Sequence, residues 1–377
     1  MIKDLNIWET DFRVILSKKM INKIKKEIIR RGGNYRLYSA TSITPTIFYR
    51  LISGKGSAVQ SYEQIIDFIG VGKDEAEKEI TGLTYNGGKF VYPFIKKINP
   101  LLFRIVCHII GDGTIGSRGT CRWIQHRTNS HWLMELIKNE LGFEPTTTRN
   151  GSTDMVTISA YFSRLIKYML GIDYKNMKNS ETIKTFLNLP KEYKLQFLAA
   201  FIVDEGHIRY KKAKSCIISQ KEGDVLMAVS SILDSLGYLH SEIKRETCCR
   251  LNFVHRINIY STGMLRFYED IQDMIKKYGN YAGLWQKQVA LEKYIAVINK
   301  DEKYTKIEKD LINNLISALF DEKIIVSYAD IREHPILKQK IKLRSKLYLI
   351  NKFYELAKSG KFTRLSKGLY IKNQQNI

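Results

Sequence analysis

The chain has 377 residues, with 61 Lys and Arg against 38 Asp and Glu and a formal net charge of +23. Its 44% hydrophobic and 11% aromatic content is enough for real cores, which excludes wholesale disorder and leads us to expect two or three domains. Apolar runs such as Phe197 to Val203 fall far short of the roughly 20 residues a bilayer crossing needs, and no apolar run follows a basic start. The expectation is a soluble, non-secreted protein of the cytoplasm, nucleoid or an organelle matrix. Five cysteines (Cys107, Cys121, Cys216, Cys248 and Cys249), odd in number and without a CxxC pair, suit reduced thiols in such a compartment.

The positive charge is spread, with net values of +7 over residues 1–100, +5 over 101–200, +4 over 201–300 and +7 over 301–377. Lys18 to Arg36 holds eight basic residues and one acid, and Lys338 to Lys372 holds eleven and one. Three basic regions in one folded chain attract a polyanion, and nucleic acid is the expected partner. No basic segment carries the Trp/Phe/Leu face of an interfacial helix, so no membrane partner is expected.

In chain order, residues 1–90 read as a compact all-helical region. Apolar residues recur at helical spacing (Ile15, Ile21, Ile24, Ile28), and helical stretches follow at Tyr35–Ala40, Pro45–Ile52 and Tyr62–Ile69. The Pro45 helix opens with Thr44 as N-cap and proline at the first helical position. Two short helices joined by a tight break resemble a helix-turn-helix.

Residues 91–298 alternate helical and strand patterns and contain an internal repeat, with halves of about 91–190 and 191–298. An apolar helix ends in acid–Gly in each half, at Asp112-Gly113 and Glu205-Gly206. Strand-like Cys121-Arg-Trp-Ile-Gln-His126 and Cys216-Ile-Ile-Ser-Gln-Lys221 follow. Each leads to an amphipathic helix ending in Leu–Gly, with Gly142 and Gly237 seventeen residues after Gln125 and Gln220 respectively. A further strand (Met155–Ser159; Arg256–Tyr260) and a helix (Arg164–Leu170; Met264–Ile275) close each half.

Residues 299–377 read as helices at 306–320 and 345–359, a short helix or turn near 329–334, and a hairpin over Lys361–Ile371 turning near Ser366-Lys367-Gly368. Helices followed by a basic hairpin resemble a winged helix; a small helical cap on the middle domain is the plainer alternative.

The repeated motif resembles the LAGLIDADG family, best known for homing endonucleases. Leu198-Ala-Ala-Phe-Ile-Val-Asp-Glu-Gly206 matches throughout, and Ile105-Val-Cys-His-Ile-Ile-Gly-Asp-Gly113 matches at its end. The resemblance implies an α+β fold of tandem pseudo-twofold αββαββα halves whose two motif helices pack side by side. Ala199 and Ala200 suit that packing, whereas Val106, Cys107 and His108 are bulkier than usual. It also implies that Asp112 and Glu205 bind Mg²⁺, with Mn²⁺ as a substitute, and that Gly111 and Asp204 complete the candidate metal set. Register against Gly206 favours Glu205 over Asp204, since successive helical residues point about 100° apart. Gln125 and Gln220 resemble the family's active-site glutamine, with exposed strand-end glutamine as the alternative. Lys178 and Lys287 are the nearest candidates for its basic residue, and Trp285 stands where a lysine is expected.

By the same resemblance the strands form a saddle over the major groove. The basic residues there are Arg118, Arg122, Arg127, Arg149, Arg209 and Lys211, and then Lys212, Lys214, Lys244, Arg245, Arg250 and Arg256. Arginine can bond guanine bidentately, and either cation can neutralise phosphate.

Two acids at the ends of paired helices also suit metal-assisted phosphodiester hydrolysis on elementary grounds, because hard oxygen ligands hold Mg²⁺ while phosphates supply the rest. Cys121, His126 and His131 lack a fourth ligand for zinc, and no P-loop, GxSxG or GxGxxG occurs. The expectation is a monomeric, metal-dependent, site-specific endonuclease of double-stranded DNA, a homing endonuclease serving intron homing. The alternatives are a non-cleaving transcription regulator and an intron maturase acting on structured RNA.

Overall fold

A computed structural model describes residues 2–85, 90–173, 176, 179–210, 215–248, 252–299, 325–327, 330, 362–366 and 369–372. The chain divides into two compact units, Met1–Ile295 and Ala296–Ile377. Among the described residues no helix is long and apolar enough to cross a membrane.

The first unit opens with β1 (Arg13–Leu16), α1 (Lys18–Arg30), α2 (Gly33–Ala40), α3 (Pro45–Ile52), β2 (Ser57–Ala58), α4 (Val59–Ile69), α5 (Lys73–Lys78) and β3 (Ile80–Thr84). Ser17 caps α1 by accepting from the Met20 amide, and Thr44 caps α3 by accepting from that of Ile47. The all-helical expectation for this region is corrected by a three-stranded antiparallel sheet, order β2-β1-β3. Ile15, counted above in a helical stripe, lies in β1; the buried stripe of α1 is Met20, Ile24 and Ile28. A four-residue strand next to a 13-residue helix leaves too short a period-2 signal to separate from the helical one. Phe12 packs on Tyr161 and Tyr168, and Asp11 pairs with Arg164, which anchors this region to the rest of the unit.

Next come α6 (Pro100–Ile110), β4 (Gly113–Ile115), β5 (Cys121–His126), α7 (Arg127–Leu141), β6 (Thr146–Asn150), β7 (Thr153–Ile158) and α8 (Ala160–Leu170). After α9 (Ser180–Thr185) the same order returns as α10 (Lys191–Glu205), β8 (Gly206–Arg209), β9 (Ser215–Gln220), α11 (Gly223–Ser235), β10 (Lys244–Cys248), β11 (Asn252–Ile259) and α12 (Ser261–Tyr278). The two antiparallel sheets have matching orders, β4-β5-β7-β6 and β8-β9-β11-β10.

Helices α6 and α10 pack against each other, and every residue of α6 and Leu195 through Val203 of α10 is buried. A helix buried on all sides sits in the middle of a protein, and these two form the centre of the unit although Arg104, His108 and Gln196 lie within them. Asn99 and Pro100 start α6 as N-cap and first helical residue. Each helix ends where its chain turns at once into a strand, and both turns demand glycine. A Cβ on Gly206 would stand 2.6 Å from the Ile202 carbonyl oxygen, and one on Gly113 would run into the Ile109 backbone.

In the second unit β12 (Ile325–Ser327), β14 (Leu369–Lys372) and β13 (Phe362–Ser366) form an antiparallel sheet in that order, with Phe362 opposite Lys372. The helices expected at 306–320 and 345–359, and the turn near 329–334 save residue 330, lie outside the described residues.

Candidate active site and nucleic-acid interface

Strand alternation aims two glutamines at the ends of the central helices. In β5 the inward residues are Cys121, Trp123 and Gln125, and in β9 they are Cys216, Ile218 and Gln220. As the third inward residue of its strand, each glutamine reaches the motif acid of its own half. Gln125 Nε2 donates to Asp112 Oδ2 over 3.0 Å, and Gln220 Nε2 donates to Glu205 Oε1 over 3.1 Å. Both acids are partly exposed, whereas Gln125 is buried.

Asp204 is placed differently from Glu205. Its side chain has no exposed surface and points across the helix pair, where both carboxylate oxygens lie 3.0 Å from His108 Nδ1. Gln125 Nε2 also lies 3.2 Å from Asp204 Oδ1, so one amide nitrogen bridges a carboxylate from each half. Gly111 faces the same group, and a Cβ there would collide with the Asp204 carboxylate.

The sequence reading did not identify the buried ladder behind Asp204. Arg104, one helical turn before His108, donates from Nε to His108 Nε2 over 3.3 Å and from Nη1 to Gln196 Oε1 over 3.1 Å. The Arg104 Nη2 has no hydrogen-bond partner among the described residues, and the guanidinium lies 4.7 Å over the Trp285 ring. Trp285 also stacks on His108 at 4.4 Å, and it is the one non-glycine residue of positive φ among those described. Burial lowers the Arg104 pKa to about 9, so the group stays charged at neutral pH. Burial likewise lowers the His108 pKa, against the opposing pull of Asp204. Because Arg104 donates to Nε2, the ring proton belongs on Nδ1 and is donated to Asp204. The available signal was an Arg and a His four residues apart in an otherwise apolar helix.

Lys287 Nζ donates to the carbonyl oxygens of Ile202 (2.9 Å), Val203 (2.6 Å) and Gly206 (2.6 Å), the C-terminal end of α10. A cation there satisfies terminal carbonyls and opposes the helix dipole. Burial lowers its pKa, while the charges of Asp204, Asp112 and Glu205 hold it up, which places all three carboxylates within its field. Lys178 lies outside the described residues.

Of the twelve basic residues expected on the strands, the outer faces of the sheets carry Arg122, Arg209, Lys244 and Arg256. Arg256 is bonded to Glu246 opposite. Arg149 and Arg245 fall on the faces shared with Gln125 and Gln220, with Arg149 opposite Asp154 and Arg245 opposite His255. Arg245 covers the Phe253 ring. Arg118 is exposed in the β4–β5 turn, and Arg127 donates to the Gly151 carbonyl. Lys211, Lys212, Lys214 and Arg250 lie outside the described residues. Cys121 is wholly buried while His126 and His131 are exposed, and no three His, Cys, Asp or Glu side chains cluster as a metal cage among the described residues.

No protein-family profile and no curated protein matches this sequence. Among solved structures the chain is similar to the homing endonuclease I-DmoI in complex with DNA and Ca, at 17% identity over 51% of this chain and 97% of that one, with a TM-score of 0.35. It is also similar to the meganuclease I-SmaMI bound to uncleaveable DNA, at 13% identity over 59% of this chain and 96% of that one, with a TM-score of 0.35. A further I-DmoI complex with target DNA and Mn shares 18% identity over 46% of this chain and 94% of that one, at a TM-score of 0.33.

Proposed function

We propose that the protein is a site-specific endonuclease of double-stranded DNA built on tandem LAGLIDADG-like halves, as a monomer that carries both half-sites. The observation that carries the reading is the pairing of Asp112 with Gln125 and of Glu205 with Gln220 at the adjoining ends of two buried helices. A carboxylate at a helix C-terminus opposes the helix dipole, and two such groups beside each other repel. A pure binder gains nothing by presenting them to phosphate.

The donor set fits a hard divalent cation. Asp112 and Glu205 would hold Mg²⁺ or Mn²⁺ from the protein side, with phosphate oxygens and water completing an open site. Asp204, committed to His108 and Gln125, is left out of that set. The metal, when bound, would polarise the scissile phosphate and lower the pKa of its water. The chain's own residues do the positioning. Gln125 and Gln220 orient the two acids through their amide N–H groups, and Lys287 fixes the end of α10 while its charge offsets the carboxylates. The His108–Asp204 pair holds the two helix ends in register, and exposed Arg122, Arg209 and Lys244 neutralise phosphate or read bases.

Supercoiled plasmid carrying a target selected from a randomised library tests this. Purified protein with Mg²⁺ is expected to linearise it, and Asp112→Asn and Glu205→Gln are each expected to reduce cutting at least about 100-fold while leaving duplex affinity within a few-fold. Absence of cutting with Mg²⁺ and Mn²⁺, with both variants neutral in every assay, would sink it.

A further inference from the structure

The outer faces of the two sheets differ in chemistry. On the first, the strand register sets Thr114, Arg122, Thr157 and Thr146 in one row, and Ile124, Met155 and Thr148 in the next. His126 faces Thr153 in a third. Arg122, Ile124 and His126 alternate with the buried side of β5, and Ile124 is 61% exposed. On the second sheet the corresponding rows hold His207, Ile217 and Asn258, then Ser219, Arg256 and Lys244, with Val254 facing Glu246 in a third and Arg209 opposite Ser215 beyond them. The first face therefore carries one arginine and one histidine among threonines and two large apolar side chains.

Ile124 and its cross-strand neighbour Met155 form a small apolar spot in the middle of this face. No Asp or Glu stands in those rows, and Arg118 and Arg127 flank the sheet at the turn and at the start of α7, so the occupant must tolerate or want positive charge. A major groove does both. In it, arginine and lysine select guanine, whereas threonine methyls and apolar side chains select the thymine C5-methyl. We infer that the first half reads a thymine-rich half-site by burying thymine methyl groups against Ile124, Met155 and the threonine rows, while the second half reads its half-site with cations. This rests on the endonuclease reading above and names the substrate sequence class that it leaves open.

The test uses the full chain and duplexes selected from a randomised library. Replacing thymine by deoxyuridine keeps every hydrogen bond of the base pair and removes only the methyl. In the half-site whose preference changes with Ile124→Arg, each contacted thymine replaced is expected to weaken binding about fourfold, the transfer value of one buried methyl. The same replacement in the other half, whose outer face sets Ile217 and Val254 among His207, Arg209, Lys244 and Arg256, is expected to cost less per thymine. Ile124→Ser with Met155→Ser should abolish the deoxyuridine penalty while thermal stability stays unchanged, since both side chains lie on the outer face. Equal affinity for thymine and deoxyuridine throughout a selected and cleaved site overturns this inference alone, as does a G·C-rich preference in the half governed by Ile124. A chain that selects no sequence and cuts no duplex overturns the endonuclease reading and this inference with it.

Discussion

Three carboxylates meet at the junction of α6 and α10, and their surroundings differ. Asp112 and Glu205 keep exposed surface and one glutamine amide each, while Asp204 is sealed against His108 and Gln125. Adjacent letters in the sequence thus point one way into solvent and the other into the helix interface, which is the 100° step of a helix made visible. His108 carries a pH prediction. Burial holds its pKa below the usual 6.5, so as the pH falls through that range the unfolded chain binds more of the proton than the folded chain does. The stability this residue contributes is therefore complete above pH 6.5 and is lost as the pH falls. Thermal midpoints measured from pH 7.5 down to 5.5 should drop in the native chain and drop less in His108→Gln; parallel profiles would contradict it.

α10 is held by two kinds of contact. Leu198, Ala199 and Ala200 are wholly buried, and truncation of Leu198 to alanine should cost about 2–5 kcal/mol in urea unfolding. The polar rungs, Arg104 with Gln196 and His108 with Asp204, behave differently, because removing one partner strands the other in a dry interior. Asp204 buried without His108 should make His108→Leu cost roughly 3–5 kcal/mol, while His108→Leu with Asp204→Leu together should cost less than the two single losses added, with Arg104 left without its His108 partner. A double-variant loss equal to the sum of the two single losses would show that the pair is not coupled. The small-residue packing suggested by Ala199 and Ala200 is thus only one side of the contact. On the α6 side the room is taken by Arg104, Cys107 and His108, and Trp285 stacks on the Arg104 and His108 groups.

Across the whole chain the charge of +23 should make the proposed duplex binding salt-dependent. If about six phosphates are neutralised, raising salt from 50 to 200 mM should weaken duplex binding about 10³-fold, and the slope of log affinity against log salt measures that number. A flat profile would mean that the charge is merely solvated. Competition between the selected duplex and structured RNA at fixed salt should leave the duplex bound.

The sequence by itself determined the acid–Gly ends of two apolar helices, the equal spacing from each glutamine to its Leu–Gly helix end, and the basic field around them. These are local: a helix apolar all round must be central, and a strand leaving it at once must start with glycine. The sequence also contained the 2-residue alternation, yet twelve basic residues drawn from the strands and their turns could not be sorted by face until the register of each sheet was known. The tertiary structure alone decided that β1 joins a sheet, that Asp204 turns inward to His108 and that Lys287 caps α10 from more than eighty residues away. Such pairings join residues distant in sequence, and their energy comes from desolvation at a contact that no local pattern encodes.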